Sequence, residues 1–186
     1  MARALQDPLA LLRKMQLESR RNAPGLPGQV QPVKLWTGLG FRLGDVHFVT
    51  PLSHVAEVLP CPAVTTVPGT KPWLKGVTNV RGSLFTVIDL SQYFGKASVE
   101  AGERPRLLIM NLAGLSSALL VDEVYGLRHF DEEQERQDIT GLTDPALAHA
   151  PGAFLHDHVL WCVFDMHSLA ESPEFRHVAR PDRMLK

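Results

Sequence analysis

The sequence lacks the features that mark several large classes of protein. Its net charge is −1, from 19 lysines and arginines against 20 aspartates and glutamates. That balance argues against a general nucleic-acid binder, because such proteins neutralise phosphates with an excess of cations. There are two cysteines, Cys61 and Cys162, and neither belongs to a C-x-x-C pair. A disulfide between them is not indicated, and we expect reduced thiols.

Membrane and targeting signals are scarce as well. The longest apolar run is too short to span a bilayer. At the N-terminus Gln6, Asp7 and Pro8 interrupt any apolar segment, so no signal peptide is expected. These observations predict a cytoplasmic protein.

Motifs for catalysis are also missing. The sequence has no Walker A loop, no G-x-G-x-x-G, no nucleophile elbow and no H-E-x-x-H. We therefore expect no enzyme activity, no cofactor and no metal. One alternative stays open, because His156-Asp157-His158 would place two imidazoles on one face of a strand, as in a zinc site. A zinc-binding or hydrolytic protein would still need further ligands, which no motif supplies.

What the sequence does contain is a helical start followed by a β-rich body. Residues 1–33 form a predicted extension and linker, in which Asp7 and Pro8 suit the beginning of a helix. This helix either packs on its own domain or docks on a partner. From Leu35 onward, short apolar segments are separated by glycine and proline, which favours strands of small barrels. The predicted strands are 35–43, 46–49, 64–67, 76–80, 84–90, 107–112, 115–124 and 159–164.

Two tetrapeptides recur in the same order and indicate an internal duplication. Val55-Ala-Glu-Val58 returns as Val121-Asp-Glu-Val124, and Val87-Ile-Asp-Leu90 returns as Val163-Phe-Asp-Met166. The repeat predicts two similar β units. Asp89 and Asp165 end the second tetrapeptide's strand in each unit, so we expect them to cap short helical turns rather than to act as catalytic carboxylates.

The segment Lys75–Ser83 has two interpretations. Asn79 can brace a turn through its side-chain amide, and Gly82 permits backbone angles that other residues resist. One interpretation is therefore a braced turn with a surface arginine. The other is an interface anchor, since the guanidinium of Arg81 suits a partner's carboxylates or carbonyls.

The run Gly76-Val-Thr-Asn-Val-Arg-Gly82, followed by Leu84-Phe-Thr-Val-Ile-Asp-Leu90, resembles the central motif of CheW-like chemotaxis adaptors. The resemblance extends over about residues 35–170. It implies a mostly β fold of two packed five-stranded SH3-like β-barrels with short helices. The barrel halves would be about 34–95 and 104–170 of a domain spanning 34–170, with 171–186 as a C-terminal tail.

The resemblance also implies a scaffolding function. The partners would be the regulatory domain of a CheA-type histidine kinase and the cytoplasmic tip of a methyl-accepting chemoreceptor, with recruitment to membrane receptor arrays. The implied partner-binding residues are Gly76, Asn79, Arg81 and Gly82 in the motif, and Val55, Glu57 and Leu127 where the family lines its receptor-facing groove.

Two features set the chain apart within the family. Thr86 stands where many members have proline, and residues 1–33 have no counterpart in a minimal CheW. The extension and the segment Trp36-x-Gly38-x-Gly40-Phe41 resemble the CheW homologues of type IV pilus twitching systems, which implies a role in twitching motility. A regulatory module of a larger kinase, with the same fold, is a second alternative.

Overall fold

The computed structural model describes residues 35–100, 102–112, 114–131, 135–136, 138–139 and 142–178. The predicted extension and linker, 1–33, lie outside the described residues. The described residues all belong to one compact unit. No helix among the described residues is long and apolar enough to cross a membrane.

The described part of the chain forms eleven strands and several short helices. The strands are β1 (Leu35–Leu43), β2 (Val46–Pro51), β3 (Val55–Pro60), β4 (Leu74–Val80), β5 (Ser83–Asp89), β6 (Arg106–Met110), β7 (Ser117–Val121), β8 (Glu123–Asp131), β9 (Glu135–Arg136), β10 (Gly152–His156) and β11 (Val159–Val163). The α-helices are α1 (Leu90–Tyr93), α2 (Met166–Glu171) and α3 (Pro173–Val178), and the 3₁₀ helices are η1 (Leu52–His54) and η2 (Pro145–His149).

These strands make two sheets. The first sheet has the order β8-β1-β2-β11-β10-β9, and the second has the order β3-β6-β7-β5-β4. In the second sheet, Thr65 pairs with Val77 of β4 through two backbone hydrogen bonds of 2.8 Å, so the chain leaving one edge strand binds the other. In the first sheet, the rings of Phe130 on β8 and Phe154 on β10 stack 4.7 Å apart. Both sheets thus curl toward closure, which confirms the predicted fold of two packed five-stranded barrels, with β9 as a short addition.

The sheets divide the chain differently from the predicted halves. The second sheet takes residues 55–121, whereas the first takes β1 and β2 from before that range and β8 to β11 from after it. The predicted boundary near residues 95–104 therefore falls inside the second sheet. The physical reason is that β1 and β2 pair with β8 and β11 from later in the chain, whereas β3 to β7 pair only with one another among the named strands.

The internal duplication appears in the topology. From one edge inward, β8-β1-β2-β11-β10 and β3-β6-β7-β5-β4 have the same sequence of antiparallel, antiparallel, parallel and antiparallel pairings. The tetrapeptide 55–58 lies at the start of β3, and its counterpart 121–124 runs from the end of β7 into the start of β8, the strand equivalent to β3. The second pair of tetrapeptides lies at the ends of the equivalent strands β5 and β11. Asp89 caps α1 by accepting a hydrogen bond from Gln92, and Asp165 caps α2 by accepting one from His167. The capping prediction is confirmed.

Successive side chains of the strands point to opposite faces of each sheet, and in the described residues this creates three apolar cores. The main core lies between the sheets and includes Phe41, Phe48, Cys162, Ile88, Leu108 and Leu119. The opposite faces of the same strands fill the barrels, with Leu107, Ile109 and Leu120 in the second and Val49, Phe154 and Trp161 in the first. Phe175 of α3 is fully buried in the main core, so the segment predicted as a tail from 171 contributes to the domain up to Val178.

Two glycines in β1 make room for tryptophans inside the first barrel. A Cβ atom at Gly40 would lie 2.8 Å from the ring of Trp161, and one at Gly38 would lie 2.7 Å from the ring of Trp36. Both distances are shorter than van der Waals contact. The Gly-x-Gly spacing therefore places both gaps on the same face of the strand, where aromatic rings cover the backbone.

Candidate partner-binding site

The predicted site centres on the tip of the β4–β5 hairpin. Val80 pairs with Ser83, which leaves Arg81 and Gly82 as a two-residue loop. Both have left-handed backbone angles, with φ of 52° and 87°, as a type I′ hairpin turn requires. The side-chain oxygen of Asn79 accepts a hydrogen bond from the backbone N–H of Gly82 at 2.8 Å. The structure thus contains the braced turn of the first interpretation, and it presents Arg81 at the end of the hairpin.

A salt bridge joins this tip to the far edge of the sheet. The Nη2 atom of Arg81 donates to Oε1 of Glu57 on β3 at 2.6 Å. The Arg81 side chain is 79% exposed and that of Glu57 is 27% exposed. A guanidinium carries five N–H donors, so the group is oriented by Glu57 while most of its donors stay accessible. This arrangement suits docking of a carboxylate or carbonyl group from another protein.

Gly76 serves the packing of the barrel. It is buried, and its φ is 141°. A Cβ atom there would lie 2.0 Å from the carbonyl oxygen of Thr65, the residue whose backbone pairs with Val77. Because any side chain would push this segment off β4, glycine is required here for closure of the second barrel.

The remaining predicted residues lie on other surfaces. Val55 is half-buried at the start of β3 and packs against the main core. Leu127 is 57% exposed on β8, where it pairs with Leu39 of the first sheet. The structure therefore brings together Arg81, Gly82, Asn79 and Glu57, and it places Leu127 on a different sheet.

Sequence reasoning missed an apolar neighbour of the tip. Leu84 is 53% exposed and stands opposite Asn79 in the hairpin. The segment 84–90 is predicted as a strand from its nearly continuous apolar composition, and that composition does not indicate that its first leucine is exposed while residues 86–90 are buried. An exposed leucine beside an oriented arginine is the composition expected of an interface core.

The histidine pair of the zinc alternative does not lie on one strand. Asp157 and His158 form the loop between β10 and β11, with φ of 49° and 63°, and only His156 is part of a strand. The Nε2 atom of His156 lies 3.3 Å from a carboxylate oxygen of Asp157. Within the described ranges no three histidine, cysteine, aspartate or glutamate side chains are grouped so as to hold a metal ion.

The cysteines provide no thiolate either. Both are free, with Cys61 exposed and Cys162 buried. Burial raises the pKa of the Cys162 thiol to about 11. Cys61 is exposed as a residue, but partial desolvation of its thiol raises its pKa as well. Neutral thiols are poor nucleophiles and poor metal ligands.

Comparison with known proteins decides the family. The family model for the CheW-like domain matches residues 37–174. The chain belongs to the CheW-like family. A relative in Pseudomonas aeruginosa, Protein PilI, is 37% identical over 175 residues, which is 94% of this chain and 98% of PilI. Protein FrzA of Myxococcus xanthus is 34% identical over 88 residues, or 47% of this chain and 55% of FrzA.

A solved structure supports the same assignment. The crystal structure of the scaffolding protein TtCheW from Thermoanaerobacter tengcongensis matches with a TM-score of 0.63 and 25% identity, covering 74% of this chain and 93% of that one. This CheW-like chain is accordingly a scaffold of chemosensory signalling. The β4–β5 tip of the CheW-like domain, with its arginine held by a glutamate, is the best-formed candidate for a contact surface.

Proposed function

We propose that this chain is a non-enzymatic adaptor that couples methyl-accepting chemoreceptors to a CheA-type histidine kinase in a pathway that controls type IV pilus twitching motility. The observation that carries the proposal is the similarity to PilI, which extends over 94% of this chain and 98% of that protein. Similarity to FrzA covers about half of each chain, so the pilus assignment depends on PilI. Recruitment to receptor arrays from the cytoplasm follows from receptor binding.

The hairpin tip is the proposed anchor for one partner. Arg81 is exposed and oriented by Glu57, and Leu84 adds an exposed apolar contact beside it. Arginine is enriched among the residues that contribute most to binding, particularly next to apolar groups that exclude water. The tip therefore fits a partner surface that offers a carboxylate or backbone carbonyls beside an apolar pocket, and Asn79 and Gly82 act by shaping the turn.

Signal transfer in this proposal is a matter of binding free energy. The adaptor holds the receptor tip and the kinase regulatory domain at the same time. Coupling arises when the receptor's state changes the free energy of the kinase contact, and by linkage the kinase changes the affinity for the receptor equally. Val55, Glu57 and Leu127 remain the proposed receptor-facing residues.

The test is a calorimetric titration of the full chain against two partners encoded beside it: the kinase regulatory domain and the receptor's cytoplasmic tip. Arg81→Glu should weaken binding to one partner by about 2 kcal/mol or more if the arginine is a central anchor. Arg104→Glu is the matched control, because Arg104 is exposed in the connector before β6 and makes the same charge change. Unchanged affinity of Arg81→Glu for both partners would reject the anchor role.

The kinase-module alternative needs a separate observation. It is favoured if the neighbouring kinase gene encodes no CheW-like domain of its own. In that case the titration is repeated with the kinase's dimerisation and catalytic domains, and tight binding to those domains in place of the regulatory domain would replace the adaptor proposal.

A further inference from the structure

Two histidines contact each other at the entry to β3. His54 is the last residue of η1, and its ring lies edge-to-face against that of His167 in α2, with centroids 4.4 Å apart. The next residue along the chain begins β3, which carries Glu57 and so holds Arg81. A structural change at His54 therefore occurs three residues before Glu57, which forms the salt bridge with Arg81 at the partner-binding tip.

The backbone of η1 is fixed by hydrogen bonds, whereas Nδ1 of the His54 ring makes none with the described residues. The carbonyl oxygen of His54 accepts a hydrogen bond from the backbone N–H of Asn111 at 2.9 Å, and that of Ser53 accepts one from the Asn111 side chain at 3.0 Å. The Nδ1 atom of His54 is buried and has no hydrogen-bond partner among the described residues. Protonated imidazole carries N–H on both nitrogens, so a proton taken up here leaves a buried donor unpaired.

The neighbours on α2 determine the charge sensitivity of the ring. Burial, the largest cause, lowers the pKa of His54, and the charge of His167 lowers it further, while the carboxylate of Asp165 raises it. His167 is exposed near the start of α2. A charged His167 then opposes protonation of His54 at ring-contact distance, and charge on both rings favours their separation.

The other charged groups on the strands beside η1 are already paired. On β1 the single charged residue, Arg42, lies 3.6 Å from Glu123. On β3 the single charged residue, Glu57, is bonded to Arg81. The charge balance around His54 therefore depends on His167 and Asp165.

We propose that the contact between His54 and His167 is a pH-sensitive latch. While the ring of His54 is neutral, η1 stays packed against α2 and the first residues of β3 keep their place in the second sheet. Acidification charges the buried ring of His54, whose Nδ1 then carries an unpaired N–H, and the resulting opening of residues 52–58 loosens the support of Glu57 for Arg81. The opening itself is independent of any partner, whereas its effect on signalling rests on the proposed function.

The experiment is nuclear magnetic resonance of the full chain titrated from about pH 7.5 to about pH 5.5, the range in which histidine charge changes. The readouts are the imidazole resonances of His54 and His167 and the exchange rates of the amides in 52–58, corrected for the intrinsic effect of pH. We expect exchange in 52–58 to rise several-fold at low pH while the amides of β6 and β7 stay protected. His167→Gln should reduce that rise in part, because it removes the opposing charge of His167 but leaves the larger cause, the burial of His54.

His158→Gln is the matched control, because His158 is exposed in the β10–β11 loop and remote in sequence from η1. It should leave the pH response intact.

His54→Gln tests the buried ring directly. If the His54 variant does not fold, His167→Gln still provides the test, because His167 is exposed and its replacement is tolerated more easily. A flat exchange profile across 52–58 in the wild type, or an unchanged rise in His167→Gln, would overturn the latch.

Discussion

The guanidinium of Arg81 donates a hydrogen bond of 2.6 Å to the carboxylate of Glu57, although the two residues come from opposite edges of the second sheet. The contact exists because the sheet curls until β3 and the β4–β5 hairpin meet. It therefore links the shape of the barrel to the position of the arginine proposed to bind a partner.

Charge reversal distinguishes the contribution of this ion pair to stability from its contribution to partner binding. Arg81→Glu and Glu57→Arg should each change the free energy of unfolding by no more than about 1 kcal/mol, since exposed salt bridges contribute little. Partner affinity should fall much more. The double variant Arg81→Glu/Glu57→Arg restores the ion pair with its charges exchanged. Restored affinity in this variant means that the pair acts by holding the conformation of the hairpin tip. Affinity that stays low means that Arg81 itself contacts the partner.

A side chain at Gly76 should destabilise the protein strongly. Gly76→Ala places a Cβ atom 2.0 Å from the carbonyl oxygen of Thr65 in a left-handed backbone, and we expect a loss of about 3 kcal/mol or more from overpacking and strain. Gly69→Ala is the control, because Gly69 also has positive φ but open space around it. It should cost only about 1 kcal/mol. Urea unfolding of both variants measures the difference, and equal losses would refute the steric account.

Local patterns predicted much of the fold correctly. The hairpins 35–49 and 76–90, the strand 107–112 and the capping aspartates all follow from periodicity and turn residues within a few positions of one another. The predicted strand 64–67 is reduced to a single bridge at Thr65. β10 was missed, because Gly152 and Ala153 are small and the strand lacks the alternation that marks a half-buried segment.

Long-range geometry explains what sequence reasoning did not predict. The division into sheets depends on the parallel pairing of β2 with β11, whose residues lie more than a hundred positions apart. The salt bridge between Arg81 and Glu57 depends on the curl of the sheet. Resemblance placed both residues in the functional region, yet neither spacing nor composition indicated that they touch.

The two capping aspartates should differ in importance despite their equivalent positions. Asp89 is fully buried and accepts hydrogen bonds from Gln92 N at 3.1 Å, Ser98 Oγ at 2.7 Å and Val99 N at 3.1 Å. Among the described residues, the side chain of Asp165 accepts one hydrogen bond, from His167 N at 2.9 Å. Asp89→Ala leaves buried donors unpaired and should cost about 3 kcal/mol or more, whereas Asp165→Ala should cost about 1 kcal/mol. Comparable losses in denaturant unfolding would contradict this ranking.

Stability should fall as the solution becomes acidic. Burial is the largest cause of a lowered pKa at His47 and at His149, as it is at His54. Each group binds a proton more readily in the unfolded chain, whose histidine pKa is near 6.5. The unfolded state therefore holds more protons below about pH 7, and the free energy of unfolding decreases as pH falls through that range.

The measurement is the free energy of unfolding in urea between about pH 8 and about pH 5, with each of the three histidines replaced by glutamine in turn. Each replacement should reduce the slope of stability against pH, and the His149 variant also loses the hydrogen bond of 2.8 Å to Ser168, which lowers stability at every pH. His158→Gln controls for loss of a histidine at an exposed loop. A stability that stays constant or increases on acidification would show that burial does not hold these imidazoles neutral.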